Sequence, residues 1–287
     1  MQAVARSAEE SGAANVVASG LAFPEGPAFA PDGALWCVEL KGGTLVRLAD
    51  GSMRRFDVGG APNGLTFDHL GRAVFCDAAA GAVRRLDPGD GTVETLASSS
   101  ADLMLDGPND LAFDAAGRLV FTCPGNSRTE PTGTVWSRAA DGRLAAIAQG
   151  LYFPNGLAFS ADGRVLFIAE TYRKRVWRGD YDLASGAWLN AAPWVEFGDT
   201  GTGPDGLAIA ENGDLLAAIF GQGRVCRIDA TGTIVQSCPL TGSRPTNCCF
   251  DPGGQLGLVV TEAERGEVLS LPATGLGINL FDGHHAR

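Results

Sequence analysis

Histidine is almost missing: His69, His284 and His285 are the only three in 287 residues. A Ser-His-Asp or Cys-His nucleophile needs an imidazole beside it. His69 falls in a turn and the other two close the C-terminus, so neither nucleophile is expected, nor is a His-rich zinc site. There is no G-x-S-x-G elbow, and no G-x-G-x-x-G or P-loop follows a strand, so a nucleotide cofactor is not expected either. Long apolar runs are also missing. Nothing approaches the ~18 residues of a membrane span, and Met1–Gly12 carries Glu9 and Glu10 without the apolar core of a secretory leader. Basic residues number 22 against 33 acidic ones, a net charge of −11. Such a chain has little with which to neutralise phosphates, so nucleic acid is not an expected partner. The seven cysteines, an odd number, contain no C-x-x-C pair. They fit a reducing, cytoplasmic setting in which thiols serve as small buried hydrophobes.

What the chain has in excess is glycine, 40 residues placed at turn positions without a collagen period. Many tight turns mean many short strands. One phrase recurs six times: PEGPAFAPDG from Pro24, PNGLTFDHLG from Pro62, PNDLAFDAAG from Pro108, PNGLAFSADG from Pro154, PDGLAIAENG from Pro204 and PTNCCFDPGG from Pro245. The prolines are 38, 46, 46, 50 and 41 residues apart, the spacing of propeller blades. A second apolar strand follows each phrase, such as ALWCVEL or RVLFIAE. A third alternates apolar with polar, such as GTLVRLAD or GRVCRIDA, and a fourth is weaker. The expected fold is all-β: a six-bladed β-propeller of four-stranded antiparallel blades, one domain over 12–283. NVVASG from Asn15 is placed to pair with GEVLSLP from Gly266 and close the ring. Residues 1–11 and 284–287 are expected to be loose.

In a propeller the innermost strands line a central tunnel, and the repeated phrase opens such a strand. The residue after each proline therefore recurs at one height around the axis: Glu25, Asn63, Asn109, Asn155, Asp205 and Thr246. Any one copy reads equally well as a turn in which Asn or Asp bonds nearby backbone. The six together read differently, because all carry side-chain oxygens and Glu25 is a poor turn former. Oxygen donors converging without Cys or His suit a hard cation, chiefly Ca²⁺ or Mg²⁺ and also Mn²⁺. The second strands end near the same face, and there Asp77 and Glu39 are candidate bases or supports of the site.

The phrases LAFPEGPAF, GPNDLAFDAAGRLVFT, FPNGLAFSADG followed by AET, and GPDGLAI leading to GQGRV resemble the senescence-marker-protein/gluconolactonase/luciferin-regenerating family. The run GNSRTEPTG is most similar to bacterial gluconolactonases and drug-responsive lactonases. The resemblance covers nearly the whole chain. It implies a metal-dependent lactonase with the metal on Glu25, Asn155 and Asp205, and with Asn109 touching the metal's surroundings or the substrate. It leaves the ion open among calcium, zinc, manganese and iron. Similar lactonases carry F-T-D at the end of the second strand of blade three, where this chain has Phe121-Thr122-Cys123. The base must then be Asp205, Asp77, or a Cys123 thiolate with a lowered pKa. Phe23, Tyr152, Phe153, Arg128 and Arg173 are candidates to line the pocket.

The expected function is hydrolysis of a sugar-type lactone, an aldono- or aldarolactone. The metal would polarise the carbonyl and a carboxylate would assist water. Two other readings stand beside it. One is different chemistry on the same platform, phosphotriester hydrolysis or a biosynthetic isomerisation or cyclisation. The other is a propeller that binds metal or protein without catalysis.

Overall fold

The computed structural model describes residues 14–100 and 103–284. Six four-stranded antiparallel sheets form a six-bladed β-propeller, as the repeat predicts. Blade one runs Pro24–Phe29, Leu35–Glu39, Thr44–Ala49 and Ser52–Asp57 from the axis outward. The other innermost strands are Pro62–Phe67, Leu111–Phe113, Pro154–Phe159, Gly203–Ile209 and Pro245–Phe250. Blade six takes its outermost strand from the other end of the chain: Asn15–Ala18 pairs with Glu267–Leu271, Asn15 facing Ser270 and Val16 facing Leu269. The ring is thus closed by the two termini, in the pairing expected for NVVASG and GEVLSLP. The expectation of loose ends for residues 1–11 and 285–287 lies outside the described residues.

Apolar side chains gather into six clusters, one between each pair of neighbouring blades. Between blades one and two, Trp36 stacks on Phe56 with ring centroids 5.0 Å apart and meets the edge of Phe67 at 5.6 Å. Full burial of side chains of this size contributes about 1.5–3 kcal/mol each. All seven cysteines are buried and unpaired, as small hydrophobes.

The Pro-x-Gly phrase has a physical reason. Pairing slips by a bulge just after the proline, between Glu25 and Ala28, Pro62 and Leu65, Pro154 and Leu157, and Pro204 and Leu207. Bulges re-aim side chains, and here they turn the ring residues towards the axis. The glycines permit the crowding that results. A Cβ on Gly26 would strike the carbonyl oxygen of Asn63, and one on Gly156 that of Asp205, so each glycine admits the backbone of the next blade.

Candidate functional site

Glu25, Asn63, Asn109, Asn155, Asp205 and Thr246 are all buried, at 0–8% exposure, on the innermost segments at one end of the tunnel. Thr246 is turned to structure: its Oγ1 donates to the Pro24 carbonyl oxygen at 2.8 Å and meets Thr261 Oγ1 at 2.8 Å. Asn155 Nδ2 donates to Thr171 Oγ1 at 3.2 Å, and that hydroxyl donates to the Pro204 carbonyl oxygen at 2.7 Å. This relay fixes Asn155 against the residue before Asp205 and commits its NH₂ group, so its oxygen is the atom left to coordinate.

Glu25 and Asp205 are near enough to repel one another. Burial, followed by the charge of Asp110, pushes the Glu25 carboxyl up to about 8. Burial, then Glu25 and Asp110, pushes Asp205 well above the carboxylate range. The donors near them, Gly26 N–H at 3.2 Å and the Thr246 hydroxyl for Glu25 and the Asn155 amide for Asp205, do not offset this. Two buried carboxylates with so few donors are costly unless a cation neutralises them. That is the fit expected of a divalent ion on Glu25, Asn155 and Asp205. Among the described residues no three His, Cys, Asp or Glu side chains gather into a metal cluster, so an ion here rests on two carboxylates and amide oxygen.

A second level lies beneath this ring and was not foreseen from the sequence. Where four blades have glycine after the ring residue, blades three and six have Asp110 and Asn247. Asn247 Nδ2 donates to Asp110 Oδ2 at 3.3 Å. The remaining oxygens accept from Leu111 N–H at 2.9 Å and Cys248 N–H at 2.8 Å. Burial leads in raising the Asp110 carboxyl to about 6. These two residues reach into a cavity of about 1540 Å³ that opens on the opposite face. Its lining mixes apolar inner-strand residues, including Leu65, Leu111, Leu157 and Leu207, with acids such as Asp68 and Asp251.

The acids that end the second strands are engaged by their surroundings. Asp77 is fully buried; it accepts from Ala61 N–H and Ala80 N–H at 3.0 Å and pairs with Arg84 at 2.8 Å. Glu39 does the same with Ala22 N–H and Arg55, Glu170 with Tyr152 N–H and Arg175, and Glu262 with Arg244 N–H. Each acid staples the loop before its blade's proline. Asp77 and Glu39 thus spend their carboxylate oxygens on loop N–H groups and an arginine. Cys123 is 2% exposed, and burial, aided by nearby Asp106, pushes its thiol up. Both influences work against the thiolate considered from the sequence.

Around the rim, Phe23 and Phe153 hold left-handed backbone, φ 62° and 61°, immediately before Pro24-Glu25 and Pro154-Asn155. Such conformations cost about 1–3 kcal/mol for a bulky residue and cluster at functional sites. Arg128 lies over Phe153 and Tyr172 at 5.5 and 5.6 Å, and Arg173 over Tyr152 at 3.6 Å. The structure thus brings Arg128 and Tyr152 together with Arg173, Phe153 and Tyr172.

Residues 23–264 match the family described as the SMP-30/Gluconolactonase/LRE-like region. The chain is 28% identical over 258 residues to diisopropyl-fluorophosphatase of Loligo vulgaris, 83% of this chain and 79% of that protein. It is 29% identical over 156 residues to the pentonolactonase XacC of Haloferax volcanii, spanning 54% of this chain and about half, 53%, of that protein. A solved gluconolactonase structure from Xanthomonas campestris superposes with a TM-score of 0.79 at 27% identity, over 90% of this chain and 89% of that one. Hydrolases of two kinds, lactonases and a fluorophosphatase, are therefore among its relatives.

Proposed function

We propose, from the premise that the chain belongs to the SMP-30/gluconolactonase/LRE-like family, that it is a hydrolase opening a sugar-type lactone at the tunnel mouth, with one divalent ion on Glu25, Asn155 and Asp205. The observation that carries this is the buried, mutually repelling pair Glu25 and Asp205 beside an asparagine whose NH₂ group is already engaged. An all-oxygen set favours calcium first, with magnesium, manganese, zinc or iron able to substitute. When bound, such an ion supplies Lewis-acid charge that polarises an ester carbonyl.

The chain's own groups supply the rest. In this reading Asn109, on the same ring, holds the lactone by its amide, and Tyr152 and Arg128 border the opening. Asp205 is the carboxylate that takes the proton of the attacking water. Water oxygen bonds to the carbonyl carbon, the ring C–O bond breaks, and the proton passes to the departing alkoxide, giving a hydroxy acid. No acyl-enzyme is expected, because Cys123 is packed into the core between blades two and three and the His69 ring lies against His284, centroids 5.3 Å apart, away from the carboxylates. Single-turnover hydrolysis in ¹⁸O-water tests this. Label should enter the product acid and none the protein, whereas label in a side-chain carboxylate points to covalent catalysis.

A second reading, hydrolysis of a phosphotriester-type compound on the same residues, is favoured by the similarity to the squid fluorophosphatase over 83% of the chain. A panel of lactones and phosphotriesters, run before and after chelation, separates the two. It also separates both from a propeller that only binds metal.

A further inference from the structure

Several arginines of the chain are engaged by carboxylates: Arg55 by Glu39, Arg84 by Asp77, Arg118 by Asp114, Arg175 by Glu170. Three cations at the tunnel rim are left without such a partner. Among the described residues, Lys41, Arg128 and Arg173 take part in none of the ion pairs, although acids outnumber bases 33 to 22. Each lies on an aromatic face: Lys41 Nζ 4.9 Å from Phe23, Arg128 between Phe153 and Tyr172, Arg173 on Tyr152. Phe153 and Tyr172 brace one another edge to face at 5.3 Å. Phe23 and Phe153 hold their strained backbone directly before the residues that carry Glu25 and Asn155. Exposed cation–aromatic contacts are worth only about 0.5–1 kcal/mol, less than the strain, so folding alone does not account for the arrangement. A guanidinium held over a ring face makes no hydrogen bond to it, and its N–H edge matches an oxyanion in bidentate fashion.

We propose that this rim selects a lactone bearing a second, negatively charged oxyanion group, a carboxylate or a phosphate. Arg128 and Arg173 grip that group while the ester faces Glu25, Asn155 and Asp205. The inference rests on the lactonase reading and deepens it. It is tested with the metal-loaded protein on three lactones of one ring type: a neutral aldonolactone, an aldarolactone with a free carboxylate, and a phosphorylated aldonolactone. At low ionic strength kcat/KM for one charged lactone should exceed the neutral one by about tenfold or more, mostly through KM. Which charged lactone leads identifies the oxyanion. The lead should shrink to about threefold or less in the Arg128→Gln/Arg173→Gln double variant and in 0.5 M salt, where charges farther apart than about 4 Å are screened. A neutral lactone preferred by the wild type, or a lead that survives in the variant, overturns the proposal. If no lactone is opened, the lactonase reading itself fails, and the rim is read by calorimetry with an aldarate dianion. Binding weakened about tenfold by the double variant upholds the rim, and no binding, or equal binding by both proteins, overturns it.

Discussion

Asn247 of blade six donates its Nδ2 to Asp110 Oδ2 of blade three, 3.3 Å away and 137 residues apart in sequence, across the axis of the propeller. The pair forms a floor between the carboxylate ring at one mouth and the cavity at the other. Because an unpaired buried polar group costs about 1–3 kcal/mol, Asn247→Ala should destabilise the protein by about that amount in denaturant unfolding. Asp110→Asn should act in the opposite sense on the metal-free form, because it removes one of the charges that repel Glu25 and Asp205. The gap in melting temperature between metal-free and metal-loaded protein should then narrow. A gap that widens would show that Asp110 does not load the ring with charge.

Chelation should lower the melting temperature and abolish turnover, and metal should restore both. A ligand at about 100 times its Kd adds about 2.7 kcal/mol to the folded state. Glu25→Gln keeps the size of the side chain and removes one of two carboxylates. It should weaken metal binding, read by calorimetry, far more than Asn63→Ala does. Equal effects of the two changes would refute the assignment of Glu25, Asn155 and Asp205.

Cys123 should prove to be a packing residue. It sits with Cys76, Phe121 and Leu111 in the cluster between blades two and three, with its thiol pushed up by burial. Cys123→Ser should leave turnover within a few-fold, where loss of a true general base costs about 10²–10⁴. Cys123→Asp, which restores the pattern of similar lactonases, should raise lactone hydrolysis only if the site lacks a well-placed base. A large loss on Cys123→Ser would return the thiolate to the mechanism.

The blades were legible because one phrase repeats, and repetition survives weak local signals such as the three-residue strand Leu111–Phe113. The ring of oxygens was legible for the same reason, as a height in the repeat. What the repeat could not convey was direction. Thr246 shares the slot but turns to the Pro24 carbonyl, and Asp77 and Glu39 end strands near the mouth but fold back onto loop N–H groups. An acid at a strand end carries no sequence mark of the backbone group it caps. The floor was missed because Asp110, in PND, reads as turn chemistry. Only the contrast with glycine in PEG, PNG and PDG could have signalled it, with Asn247 as its partner. The left-handed Phe23 and Phe153 run against residue propensity, so no propensity argument finds them.

Acid stability offers a check on the strand-end staples. At Glu39 burial works to raise the carboxyl, but bonds from Arg55, Thr44 and Ala22 N–H outweigh it and bring it from 4.5 down to about 2. A depressed folded-state value means stability that is present above pH 4.5 and lost as pH falls towards 2. Arg55→Met should therefore flatten the acid limb of the stability curve in that window, with about 1–3 kcal/mol lost near pH 7 for the charged bond. An unchanged slope between pH 4.5 and 2 would show that Glu39 is not held ionised by this pair.

The C-terminal segment Leu276–Asp282 crosses the far mouth of the tunnel and touches most of the ring. Leu276 accepts from Glu211 N–H at 2.9 Å, Ile278 N–H donates to Ile209 at 3.2 Å, and Asp282 accepts from His69 N–H at 2.9 Å. Between these points Gly277 lies against Phe250, Gly283 against Phe113, and Phe281 packs onto the cluster between blades three and four. The strap covers the inner ends of apolar strands, so deleting residues from Leu276 onward uncovers them. The loss of partly buried Ile278 and Phe281 should cost about 2–5 kcal/mol, from transfer of two large side chains, and should increase binding of an apolar dye. Metal affinity at the opposite mouth should change by no more than about threefold, because Asp110 and Asn247 stand between the two ends, and sites without shared partners are nearly additive. Metal binding lost from a truncated protein of unchanged melting temperature would show that the strap reaches the site by a route other than stability.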